Sequence, residues 1–449
     1  MLKLLVLSLG FSAASYASTV AVIDSGLDVD HPDLQGHIWR NPVDSTFDRA
    51  DQDGNGKVDD VFGWNFIKDD NFLIDITQAG LLNDEVKKFF SLQTKVLLGK
   101  DEVGDKDWLK EKAGDQEFRS RLMQFAAFAH GTHVSGIVAA QSADNKVLTV
   151  RLIPTSSPFQ DLERQVRKAQ LEGKEPHWIV KYLIKGGLIA FAKVQASVFT
   201  PISGYLAFHK VDVVNGSFGF GVPQARGLVT PLLRLALNKE EPSDALVDEY
   251  ALFLTRQVVD AQNSLVTSAQ DTLFVFAAGN DGTSNDVYPV APASLRHPNT
   301  ISVAAVTPSG EVATFSNFGE TVDIAAPGVG IESLSPRGPR ITMSGTSQAA
   351  PVVAGVAGAV KTINPSLTPS EVKQIILGTA DLHAFYKTKV ASGLLNAQRA
   401  ATAAQLSVDH PVLVAITQAK ELVKDVSLPA SVASFTTEAW INFLPTLVF

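Results

Sequence analysis

The chain has 449 residues, of which 45% are hydrophobic and 19% charged, with a formal net charge of −9 and no cysteine. This composition supplies the core of one large α/β domain with insertions, or of two or three ordinary domains, and rules out disulfides as a source of stability. The acidic balance argues against nucleic acid as a main partner, because affinity for that backbone comes largely from Lys and Arg neutralising phosphates.

The N-terminus runs from Met1-Leu2-Lys3 through the apolar stretch Leu4–Phe11 to the small residues Ala13-Ala14-Ser15-Tyr16-Ala17. One positive charge, a short apolar run and an A-x-A-like end predict a secretory signal peptide over 1–17, with a buried first strand as the alternative. The next most apolar stretch, Tyr182–Phe208, is interrupted by Lys185, Lys193 and Pro201, so no membrane span is expected once the signal is removed.

Six apolar, β-branched runs then read as strands buried on both faces: Thr19–Ile23, Val147–Ile153, Val211–Val214, Thr272–Ala277, Thr300–Val306 and Val322–Ala325. Helical stretches at Gly131–Gln141, Leu246–Ser268, Ser347–Ile363 and Pro369–Leu377 alternate with them. The alternation predicts a doubly wound α/β fold, a mainly parallel sheet with helices on both faces. One domain is expected over 18–403, carrying insertions at 68–125 and 155–209, with a helical tail over 404–449. Asp24 and Asn280 fall just after strand ends, and His130 and Ser347 at expected helix starts, where such sheets bind ligands.

Four short motifs carry candidate chemistry. Asp24 ends the apolar run Val20–Ile23 and is followed by Ser25-Gly26; an ordinary turn-capping Asp explains it equally well. His130 opens His130-Gly131-Thr132-His133-Val134-Ser135-Gly136, whose small residues suit an imidazole held in a tight cleft. His130 and His133 as metal ligands are the alternative, though the spacing is not i, i+4. Ser347, in Ser344-Gly345-Thr346-Ser347-Gln348-Ala349-Ala350-Pro351, is placed near a helix N-terminus by Pro351, where free N–H groups favour negative charge; an N-cap serine is the bland reading. Asn280 follows Phe274–Gly279 and either caps a turn with Asp281-Gly282 or donates its amide to an oxyanion. A carboxylate, an imidazole, a hydroxyl and an amide donor are what nucleophilic hydrolysis of a peptide bond requires.

In the order Asp24, His130, Asn280, Ser347, these motifs resemble the subtilisin-like serine proteases, the subtilases, over roughly residues 19–403 outside the insertions. His31-Pro32-Asp33-Leu34 and Gly393-Leu394-Leu395-Asn396-Ala397 fit the same family. The resemblance implies an exported serine endopeptidase in which Asp24, His130 and Ser347 form the triad and Asn280 the oxyanion donor, acting on polypeptides. It further implies that Ser217, Phe218 and Gly219 with Ala277, Ala278 and Gly279 line the pocket for the residue before the scissile bond. No acid lies in those two segments, so an apolar preference is expected there. The chain departs from the family in leaving no room for a folded pro-segment before Thr19 and in having Gln348 where methionine is common.

Asp51-Gln52-Asp53-Gly54-Asn55-Gly56-Lys57-Val58-Asp59-Asp60 spaces oxygen ligands at alternate positions, like the first half of an EF-hand loop. Structural calcium is expected on the side chains of Asp51, Asp53 and Asn55 and the Lys57 carbonyl, with Asp59 or Asp60 replacing the bidentate Glu that Phe62 displaces. A solvated acidic turn is the competing reading. For the whole chain the rivals are a catalytically silent subtilase-fold binding protein, an esterase or peptide ligase on the same triad, and a metal-dependent hydrolase.

Overall fold

The apolar runs become one sheet in the computed structural model, which describes residues 16–153, 177–237, 240–382, 386 and 389–428. Its strands are β1 (Thr19–Asp24), β2 (Gly63–Asn65), β3 (Lys146–Arg151), β4 (Val213–Gly216), β5 (Leu273–Ala277), β6 (Thr300–Val306) and β7 (Ile324–Pro327). They lie in the order β2-β3-β1-β4-β5-β6-β7, and every pairing is parallel. A separate antiparallel hairpin joins β8 (Ile331–Ser333) to β9 (Ile341–Met343). The strands β2, β8 and β9 have three residues each, too few to show a period in sequence.

The helices in chain order are α1 (Asp84–Leu97), α2 (Asp105–Gly114), α3 (Gln116–Ala140), α4 (His177–Ser197), α5 (Phe199–Phe208), α6 (Val222–Ala236), α7 (Asp244–Ala261), α8 (Asn263–Thr267), α9 (Thr346–Ile363), α10 (Pro369–Gly378), α11 (Ala397–Leu406) and α12 (Val412–Leu422). Strand alternation divides the core. Val20 and Val22 of β1 join Val134 and Val138 of α3 and the α9 run Ala349–Val360 on one face. Ala21 and Ile23 face the other way, into a core with Phe199, Ile202 and Leu206 of α5 and Leu265 of α8. The fold is therefore the expected doubly wound one, with a buried sheet between two helical layers.

Each insertion builds apolar packing of its own. Phe89 and Phe90 of α1 close on Phe118, Leu122, Phe125 and Phe128 of α3, and this cluster includes Ile341 and Met343 of β9. Helix α3 is consequently 25 residues long and holds His130 in its interior, not at its start. Apolar residues at helical spacing from Phe118 onward continue the helix into the motif, so Gly131 is no boundary. A Cβ at Gly131 would collide with the Gly26 carbonyl oxygen, which explains the glycine: the helix crosses the end of β1 at backbone contact.

Helices α4, α6 and α7 share a further cluster around Leu188, Val229, Tyr250 and Leu254. Helix α5, in the last part of the expected second insertion, lies instead in the sheet core. The expected boundary at 403 falls inside α11, where buried Arg399 reaches Asp381 at 2.7 Å, Asp425 at 2.7 Å and the Val423 carbonyl at 2.9 Å. Residues 423–425 are thus tied to the domain. The expected signal lies outside the described residues except for 16–17, as do Leu162–Glu175 and the end of the tail from 429. No described helix is long and apolar enough to cross a membrane.

Candidate active site

The C-terminal ends of β1, β4 and β5 meet two helices at one edge of the sheet, and the candidate side chains gather there. Asp24, the last residue of β1, is buried, with its carboxylate oxygens 2.8 and 2.9 Å from His130 Nδ1. A carboxylate only accepts, so Nδ1 carries the proton in this pair and Nε2 is the ring nitrogen turned away from Asp24. The neighbouring residues fix the two elements together: Ser25 N donates to Asp24 Oδ1 at 2.7 Å and Gly131 N to Ser25 Oγ at 3.1 Å.

His133 does not share this site. It is fully buried on the same helix with Nε2 3.2 Å from the Ile341 carbonyl, and burial depresses its pKa to about 3. Nε2 is the donor in that contact, so His133 is a neutral core residue and the two-histidine metal reading falls.

Ser347 is the second residue of α9. The residue before it positions Asn280: Thr346 N and Oγ1 both donate to Asn280 Oδ1, at 2.8 and 3.0 Å, while Thr346 Oγ1 accepts from Gly279 N at 3.1 Å. With its oxygen so engaged, the Asn280 amide is oriented, and its Nδ2 has no hydrogen-bond partner among the described residues. The Ser347 N–H belongs to the first turn, where a helix offers no carbonyl partner. The Asn280 amide, tied to the residue before Ser347, and the Ser347 N–H are thus both left to donate at the start of α9.

Pro351 lies in the second turn of α9, further in than expected of a first-turn proline. It lacks the N–H that would bond the Ser347 carbonyl four residues back. The Ser217 hydroxyl fills that role, donating to Ser347 O at 2.9 Å, and the Ser347 hydroxyl in turn donates to Ser217 O at 3.2 Å. In this structure the Ser347 hydroxyl is turned toward Ser217 and makes no hydrogen bond to His130.

The expected pocket residues separate. Ser217 and Gly279 contact the start of α9 directly. Phe218 is buried in the core, its ring 6.3 Å from Phe199 and 6.5 Å from Phe276. Ala277 and Ala278 pack into the cores on opposite sides of β5, while Gly219 abuts Val290.

The acidic loop is also rearranged. Asp51 accepts from Gly54, Asn55 and Gly56 N–H groups through both its oxygens, and Asp59 Oδ1 from those of Asp48 and Arg49. The Lys57 side chain pairs with Asp69 and lies 4.9 Å over the Trp64 ring. Asp53, Asn55 and Asp60 do converge, on His209 from the end of α5, and the ligand atoms of Asp53, Asp60 and His209 lie within 4.8 Å of one another. Asn41 joins them through Nδ2, 2.8 Å from Asp53 and 2.6 Å from Asp60. The buried Asp44 leaves Oδ1 without a partner, and burial, with repulsion from Asp60, Asp59 and Asp53, raises its carboxyl above the usual range. Asn41, Asp44 and His209 carry no signal in the loop motif itself.

The clamp between Ser217 and Ser347 makes a prediction. Ser217→Ala should destabilise the fold by about 1–2 kcal/mol in chemical denaturation, because the half-buried Ser347 carbonyl loses its partner. In a Pro351→Ala background, where α9 regains an N–H for that carbonyl, the cost of the same change should fall below about 1 kcal/mol.

Residues 16–400 match the family profile described as the subtilase family. The chain is 31% identical over 251 residues to a thermostable alkaline protease of Halalkalibacterium halodurans, covering 56% of this chain and 52% of the relative. It is 41% identical over 276 residues to subtilisin E of Bacillus subtilis, covering 61% and 56% respectively. Among solved structures it is similar to a cold adapted subtilisin-like serine proteinase, at 19% identity and a TM-score of 0.46, covering 85% of this chain and 90% of that one. The chain spans about half the length of these sequence relatives. With the profile running from the start of β1 through the α9 motif to α11, this chain belongs to the subtilase family.

Proposed function

We propose that the protein is an exported serine endopeptidase in which Ser347 is the nucleophile, His130 the general base and acid, Asp24 its orienting carboxylate and Asn280 an oxyanion donor. The observation that carries this reading is the buried Asp24–His130 pair at 2.8 Å, which fixes the imidazole through Nδ1 and leaves Nε2 turned away from the carboxylate, with Ser347 at a helix N-terminus. The reaction begins with a change of the Ser347 χ1 rotamer, which turns the hydroxyl from the Ser217 carbonyl toward the imidazole. Oγ attacks the scissile carbonyl carbon as His130 Nε2 takes its proton, and Asp24 stabilises the imidazolium without itself being protonated. The oxyanion accepts from Asn280 Nδ2 and Ser347 N–H. His130 returns its proton to the leaving amine, and water repeats the sequence on the acyl-enzyme. Export rests on the signal-like pattern of residues 1–17.

We also propose that the loop at Asp53–Asp60 holds a structural calcium ion. Asp53, Asn55 and Asp60 would hold it, with Asp44 and the Asn41 and His209 neighbours closing the site. The unpartnered, buried Asp44 oxygen and the crowded carboxylates favour a cation, whose charge would relieve their repulsion. Its contribution is to stability, and it takes no part in the steps above.

Two measurements test these proposals. The wild type should hydrolyse casein, and Ser347→Ala should lower kcat by about 10⁶ and Asn280→Ala by about 10²–10³, magnitudes known from this family, with folding retained. A folded wild type without activity, or an active Ser347→Ala, contradicts the reading. For the loop, calcium at roughly 100 times its Kd should stabilise the chelator-treated protein by about 2.7 kcal/mol, and Asp60→Asn should abolish that gain. A melting temperature indifferent to chelator and calcium would contradict it.

A further inference from the structure

The turn that carries Asn280 is held from behind by two buried side-chain amides. Asn317, in the segment between β6 and β7, donates its main-chain N–H to the Gly279 carbonyl at 2.9 Å. Its Oδ1 accepts from the N–H groups of Asp281, at 2.9 Å, and Thr283, at 3.3 Å. Its Nδ2 donates to Asn285 Oδ1 at 2.9 Å, and Asn285 Nδ2 donates in turn to the Ala278 carbonyl at 2.9 Å. Two N–H groups face the Asn317 oxygen and a carbonyl faces the Asn285 nitrogen, so each amide fits in one orientation only.

The main chain on both sides of Asn280 therefore ends on this pair. Gly279 has a φ of +113°, and a Cβ built there would stand 2.5 Å from Asn317 Nδ2, so the turn presses directly on the Asn317 side chain. The side chain of Asn280 has a separate anchor, because Thr346 N and Oγ1 hold its Oδ1. That anchor fixes one atom and leaves the amide able to swing about it, which would carry Nδ2 away from the point where an oxyanion forms. The position of the Asn280 backbone prevents the swing, and the bonds on the Gly279 carbonyl and the Asp281 N–H set that position. An oxyanion donor contributes about 10²–10³ in rate only at the right distance from the developing charge, so the group that anchors its backbone matters to the rate.

We infer that Asn317 is a positioning residue for hydrolysis: it touches no reacting atom and acts by holding the turn on which Asn280 donates. The inference rests on the serine-endopeptidase reading above, with Asn280 as the donor.

The test is a double-mutant cycle on kcat and KM with a peptide substrate, at a temperature where circular dichroism shows the variants folded. Asn317→Ala should lower kcat by about tenfold with KM changed by less than about twofold, since the interaction it supports forms in the transition state. In an Asn280→Ala background the same substitution should lower kcat by less than about twofold, because the donor it positions is gone. A purely structural role would give the same fall in both backgrounds. Should Asn317→Ala fail to fold, Asn285→Ala decides: it cuts the support one bond further back and should lower kcat by about threefold, again only where Asn280 is present. No fall in the folded variant, or an equal fall with and without Asn280, overturns the inference and leaves the endopeptidase reading standing. A folded wild type that cleaves no peptide overturns both.

Discussion

The geometry of the site depends on how the first turn of α9 is docked between the diverging ends of β4 and β5. A proline in the second turn leaves the Ser347 carbonyl without a helical partner, and the Ser217 hydroxyl supplies one at 2.9 Å. Thr346 holds the other side through Asn280 and Gly279. Three consecutive requirements are met by these bonds. The proposed nucleophile is placed at a helix N-terminus, the proposed amide donor is turned with its oxygen inward, and the chains leaving β4 and β5 are each tied to the start of α9.

The histidine is held by a different principle. His130 lies inside a helix whose N-terminal half is anchored in an aromatic cluster built by the first insertion, and whose motif half crosses β1 without room for a Cβ at Gly131. The insertion cluster also takes in Ile341 and Met343 of the hairpin that leads to α9. One packed unit therefore supports the helix carrying His130 and the strand approaching Ser347. The helices of the first insertion are structural parts of the site's surroundings, not a separate lobe.

The parts legible in sequence were those whose signals are local. A buried parallel strand is a continuous apolar run, and Asp24, Asn280 and Ser347 sit at strand ends or a helix start with glycine nearby, so order and spacing place them. His130 was identified by its motif but misplaced within its helix, because glycine after a histidine looks like a boundary when the packing partner across β1 is unseen. The acidic loop shows the opposite limit. Its alternation of Asp and Asn is visible, yet which carboxylates the backbone takes, and that His209 arrives from 154 residues beyond Asn55, are set by tertiary folding.

The most direct measurement of the central claim is phosphonylation of the folded protein by a fluorophosphonate, with the adduct located by mass spectrometry. The account predicts a single adduct on Ser347, whose rate of formation falls by several orders of magnitude in His130→Ala because Oγ then has no base to take its proton. An adduct on another serine, or labelling of Ser347 at an undiminished rate in His130→Ala, would contradict it.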